Sequence, residues 1–131
     1  MKEQEFIKQA TELVKTIVNN IADKKYAELA SIAKIDDSWI DEGQTQEQAF
    51  MSFGKWLDEQ LAMWAEDEER EFVVDHFDAS RLDDEIEVED DDRAFASYSP
   101  TNSGEQLDLW FEFDFEIGDD EKVAAKFNVN A

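Results

Sequence analysis

Leu107, Leu109, Phe111, Phe113, Phe115 and Ile117 alternate with Asp108, Trp110, Glu112, Asp114 and Glu116. A period of two held over eleven residues is that of a β-strand, whose successive side chains point to opposite faces. One face is apolar and aromatic. The other carries four acids and a tryptophan. Such a strand must bury its first face against something and leave its second in water. The rest of the chain must therefore supply a cover for the apolar face.

The cover lies N-terminal. Phe6, Ala10, Leu13, Ile17 and Ile21 recur at three and four residues, with Ile7, Val14 and Val18 beside them. This predicts an amphipathic helix over about 2–21. Asp23 is placed to cap a short second helix carrying Tyr26, Leu29, Ala30 and Ala33. The stretch from Ile35 to Gly43 reads as a loop or short strand. Thr45 and Gln48 form a capping box, opening a third helix over about 45–66 with Phe50, Phe53, Leu57, Leu61 and Trp64 on one face.

Strands follow. Phe72 to Phe77 reads as a strand. Glu85 to Glu89 alternates acid and aliphatic, and the acids 90–92 turn it into Arg93 to Ser99 as a hairpin. Ser99 to Gly104 reads as a loop from its turn residues. Gly118 to Glu121 turns the long strand into a last one, with Val123, Ala125, Phe127 and Val129 on one side. Lys122, Lys126, Asn128 and Asn130 lie on the other, so the two lysines are expected to face the acids of the preceding strand. Helices over about 2–66 and an antiparallel sheet over about 72–130 make an α+β fold. Three N-terminal helices would pack on a curved sheet of four to five strands. With no internal repeat and no linker, 1–131 reads as a single domain.

The charge is as unusual as the strand. The chain carries 35 acids and 12 bases, a net charge of −23. With 42% apolar residues, ten Phe and four Trp, it can still build a core, so the charge is expected outside it. Residues 83–92 hold eight acids in ten positions. No large basic surface is available, which argues against direct nucleic acid binding. There is no cysteine, hence no disulfide, thiolate metal site or cysteine nucleophile. No apolar run approaches a membrane span, and the acidic start does not read as a leader. The expected location is cytoplasmic.

The order of helix, short helix, tryptophan-bearing loop, long helix and meander resembles the NTF2-like (cystatin-like) cone fold. Lys24-Lys25-Tyr26-Ala27-Glu28-Leu29-Ala30 is similar to the short second helix common there. The resemblance spans nearly the whole chain but is one of element order. It implies a cone of helices and sheet, and sheets that often pair into homodimers. Its members include small isomerases, dehydratases, ligand binders, transport adaptors and bacterial immunity proteins, so it selects no function.

Candidate chemistry is sparse. His76 is the only histidine, a base if it lines a pocket and otherwise a satisfied strand residue. A pocket inside the cone would be lined by Trp39, Trp56, Trp64, His76 and Tyr98. The acids at 83–92 lack the glycine of a calcium loop, and a loop opening at Ser38 puts Ala49 where glutamate belongs. No phosphate-binding glycine loop occurs. No catalytic residue, metal site or cofactor is assigned, and enzymatic function is the less favoured reading.

Two surfaces are singled out instead. One is the acidic strand face: Asp108, Trp110, Glu112, Asp114 and Glu116. A tryptophan in an acidic field fits an interface anchor; cover by a loop or a homodimer partner is the competing reading. The other is the acidic hairpin: Asp83, Asp84, Glu85, Glu87, Glu89, Asp90, Asp91 and Asp92. The favoured expectation is a non-catalytic module that binds a basic protein, in the manner of an immunity protein or inhibitor. One alternative is a pocket protein for a small apolar ligand. The other is an acidic soluble domain whose charge serves solubility alone.

Overall fold

The computed structural model describes residues 1–82 and 86–131. The fold is α+β. Helix α1 spans Glu3–Ala22 and α2 spans Gln46–Glu68. Seven strands accompany them: β1 (Lys34–Ile35), β2 (Leu82–Asp90), β3 (Arg93–Tyr98), β4 (Thr101–Asn102), β5 (Glu105–Gln106), β6 (Trp110–Ile117) and β7 (Val123–Asn130). Five of them form one sheet in the order β1-β7-β6-β3-β2, and β4-β5 is a separate ladder. All neighbours in the large sheet are antiparallel except β1, which pairs parallel to β7 through Lys34 with Lys126 and Ile35 with Phe127. The sheet is thus mixed, not wholly antiparallel.

The helices form where their apolar stripes predict. Phe6, Ala10, Val14, Ile17, Val18 and Ile21 of α1 are buried, as are Ala49, Phe50, Phe53, Gly54, Leu57 and Leu61 of α2. The Thr45 hydroxyl accepts from Gln48 N at 3.1 Å, and the Gln48 side chain accepts from Thr45 N at 2.9 Å. This reciprocal cap satisfies two orphan amides of the first turn. The stripes meet Phe111, Phe113 and Phe115 of β6, with Ala125 and Phe127 of β7, in one buried cluster. Phe53 and Phe127 knit it together: Phe127 has Phe53, Phe111 and Phe113 at ring-centroid distances of 5.0, 5.4 and 5.6 Å, and Phe53 also meets Tyr26, Trp39 and Trp56. Burying each such ring contributes on the order of 2–3 kcal/mol.

The structure departs from the sequence expectations at five points. The second α-helix is a five-residue 3-10 segment, Ala27–Ser31. Asp23 does not open it; it closes α1 as the C-cap residue. Tyr26 holds this region by donating its hydroxyl to Asp58 Oδ1 at 2.9 Å. Its ring lies so close to Gly54 that a Cβ there would overlap it, which accounts for a glycine inside α2.

Phe72 to Phe77 is not a strand and joins no sheet. Its amides bond other groups: Val73 N to Asn102 Oδ1, Asp75 N to Thr101 O, Phe77 N to Asn19 Oδ1. The stretch from Ser99 to Gly104 is not all loop. Thr101 and Asn102 pair with Gln106 and Glu105 around a two-residue turn. Ser103 and Gly104 there both take positive φ, 49° and 83°, as a tight primed hairpin turn demands. Lys122 lies in the β6–β7 turn, outside the strand, so only Lys126 faces an acid of β6 in register.

Candidate functional site

The two faces of the large sheet differ as the β6 alternation requires. Phe111, Phe113 and Phe115 are buried under the helices, while Asp114 and Glu116 are exposed and Trp110 and Glu112 half-buried. The outer face follows from the register. Glu87, Phe95, Asp114, Lys126 and Lys34 form one row across all five strands. Ser97, Glu112 and Asn128 make the next row, and Arg93, Glu116 and Ala124 the one on the other side. Trp110 pairs with Asn130 at the far end.

Two aromatics therefore stand on this face, Phe95 and Trp110, both half-buried. Neither belongs to the core cluster or packs against it. Phe95 is opposite Asp114 and Trp110 lies four residues along β6 from that pair, about 13 Å at the rise of a strand. Glu112 lies between them and accepts from Asn130 Nδ2 at 3.2 Å. At the β1 edge, Lys126 Nζ lies 3.7 Å from Asp37 Oδ1. Exposed Asp108 precedes the strand. Trp110, Glu112, Asp114 and Glu116 share this face, whereas residues 107–109 lie outside β6, which begins at Trp110 rather than at Leu107, and Asp108 lines the cleft at the end of α2 instead. Phe95 was not singled out from the sequence. Its signal was available: Ala94, Ala96 and Tyr98 alternate with Arg93, Phe95 and Ser97.

The acidic hairpin is β2–β3. Glu87, Glu89, Asp90, Asp91 and Asp92 are exposed at or near its turn. Asp83, Asp84 and Glu85 lie outside the described residues. β2 is an edge strand of the sheet. Its charges and its register shifts are the features that discourage edge-to-edge pairing.

The five pocket residues do not converge. Trp39 and Trp56 are ring neighbours at 5.7 Å, and Trp39 Nε1 donates to Asn128 Oδ1 at 3.1 Å. Trp64 lies at the other end of α2, 6.1 Å from Phe72. Tyr98 is core: it stacks on Phe77 at 5.5 Å, and its hydroxyl accepts from Asp78 N at 3.0 Å. Burial pushes its phenol pKa up. His76 is exposed, and its Nε2 lies 2.7 Å from Asp23 Oδ1 at the end of α1. A side chain in that position tethers the 72–77 segment to a helix end.

One concavity borders the large sheet and another borders the β4–β5 ladder. The larger, about 850 Å³, runs between Ala30–Ile35 and the ends of β3, β6 and β7, with Asp37, Asp114 and Glu116 at its margin. The smaller, about 250 Å³, lies between the end of α2 and the β4–β5 ladder. Among the described residues no group of three His, Asp or Glu is placed to hold a metal ion. Among the described residues no helix is long and apolar enough to cross a membrane. No family model, no curated protein and no solved structure matches this chain.

Proposed function

We propose that this protein is a non-catalytic binding module whose outer sheet face docks a basic protein, in the manner of an immunity protein or inhibitor. The observation that carries the reading is the pair of half-exposed aromatics, Trp110 and Phe95, standing among carboxylates on a face the core does not use. Aromatic anchors supply affinity when a partner seals them from water. The surrounding acids speed encounter with a cationic surface and reject anionic ones. The element order, two long helices and a short helical turn before a meander, supports the further assignment of the fold as an NTF2-like cone. The dispersal of Trp39, Trp56, Trp64, Tyr98 and His76 weighs against the pocket reading.

The test is capture of partners at low salt, elution in a salt gradient, and repetition with variants. A basic protein that elutes at moderate salt is expected to be lost with Trp110→Ala and Phe95→Ala. Truncating one interface anchor of this kind costs about 2 kcal/mol, roughly thirtyfold in Kd. Met51→Ala, at an exposed position on α2, should leave capture unchanged. Binding that ignores salt, or that survives both aromatic substitutions, overturns the reading.

A further inference from the structure

The acids at the end of α2 oppose the helix that carries them. Its C-terminal turn has no base, and Glu66, Asp67, Glu68 and Glu69 crowd it. The carbonyl end of a helix is already partly negative and favours cations. Glu69 then takes a left-handed φ of 53°, and Arg70 N–H bonds back to Ala65 O at 3.2 Å. This turn swings Arg70 over the cleft beside the β4–β5 ladder. Its guanidinium carbon lies 4.8 Å from the centre of the Phe72 ring. Its Nη2 donates to Glu105 Oε2 at 2.8 Å and to Glu68 Oε1 at 3.3 Å. Trp64 and Phe72 wall the cleft, and Asp108 stands at its rim.

The cleft thus has three components of guanidinium recognition. It has an aromatic face for a flat cation. It has two carboxylates, Glu68 and Glu105, that accept guanidinium N–H donors. It lies beside a helix end that concentrates negative potential. Guanidinium suits this set better than ammonium, because it is planar, stacks on rings and is weakly hydrated. Its present occupant is held loosely: Arg70 and both of its acid partners are well exposed, and exposed ion pairs are weak.

We propose that this cleft receives an arginine side chain of the basic partner, and that Arg70 is a resident stand-in which the incoming arginine displaces. The inference rests on the reading above, that the partner is basic, and adds where one of its cations is seated. Asp108 joins the two regions, since it lines the cleft and leads directly into β6. Displacement makes Arg70 a built-in competitor, so the free protein does not hold an unpaired cluster of acids at this point.

The test uses the full chain and N-acetyl-arginine amide as probe, titrated at low salt and followed by the indole N–H resonance of Trp64, assigned with Trp64→Phe. A saturable shift is expected, weaker for N-acetyl-lysine amide. Arg70→Ala should tighten the arginine probe about fivefold, the preference that a weak exposed pair sustains. Lys55→Ala removes the same charge from an exposed position on α2, about 20 Å from the end of that helix at the helical rise, and sets the non-specific effect. Phe72→Leu keeps an apolar side chain, removes the ring face and should weaken binding in both backgrounds. Arg70→Gln serves as a second variant if Arg70→Ala does not fold. No Trp64 shift, or an Arg70 effect no larger than that of Lys55→Ala, overturns the proposal. The titration needs no partner protein, so its failure leaves capture on the sheet face to be judged separately, and a failed capture leaves the titration result standing.

Discussion

Asp75 shows how one carboxylate replaces a missing strand. It accepts from Thr101 Oγ1 at 2.7 Å, from Gly104 N at 2.9 Å and from Ser103 N at 3.0 Å. These bonds fasten the 72–77 segment to the β4–β5 turn, whose two positive-φ residues present their amides to it. Partial burial pushes the Asp75 carboxyl up, but the donors from Gly104, Thr101 and Ser103 outweigh it and hold the group below the usual carboxylate range. A carboxylate with a lowered native pKa stabilises the fold above its unfolded pKa and loses that contribution as pH falls through the native value. Asp75→Asn should therefore cost about 1–2 kcal/mol at pH 7. The gap between wild type and variant should close as pH drops below about 4, where the unfolded aspartate takes up its proton. Urea unfolding of both proteins at pH 7 and near pH 3 measures this. A gap of constant size would mean that the bonds to Asp75 do not depend on its charge.

At the scale of elements, β6 separates core from surface within neighbouring positions. Phe113 is fully buried among Phe127, Phe115 and the helices, and Phe113→Ala should cost about 3–5 kcal/mol. Trp110 is as large but lies outside the core, so Trp110→Ala should cost under about 1 kcal/mol. Thermal unfolding midpoints of the two variants decide it, and equal drops would place Trp110 in the core. This contrast was legible in the sequence because both faces of the strand obey one local period. The α1 and α2 stripes and the Thr45 cap were legible for the same reason. Phe72–Phe77 was not. Its alternation is that of a strand, but a strand needs a neighbour, and Asn102, Thr101 and Asn19 take its amides instead. Those bonds join residues 25 or more positions apart, which periodicity does not report. Likewise Lys34–Ile35 became a parallel strand through contact with Lys126 and Phe127, not through any pattern of its own. The site divides in the same way. The acid-and-Trp face could be read from β6 alone, whereas the cleft of Trp64, Phe72, Arg70 and Glu105 exists only after α2 and the β4–β5 ladder meet.

For the whole molecule, the question is how a chain of net charge −23 folds and what the charge then does. Among the described residues, the buried polar side chains are Ser99, Thr101 and Asn102, all uncharged, so no carboxylate is fully buried. The acids stay in water and repel one another, a cost of compactness that grows as salt is removed. Screening length is about 30 Å in 0.01 M salt and about 10 Å at 0.1 M. Added sodium chloride should therefore stabilise the fold. A gain of about 1 kcal/mol between these concentrations would raise Tm by about 3–5 °C for a chain of this size. Association with a basic partner has the opposite sign, because the same screening removes the attraction that drives it. Opposed salt dependences of folding and binding are what the docking reading requires. Charge that served solubility alone would give the first without the second. Measuring Tm and partner affinity on one sample set, across one salt series, separates the two: if affinity stays flat while Tm climbs, the charge acts on the fold's environment and not on a partner.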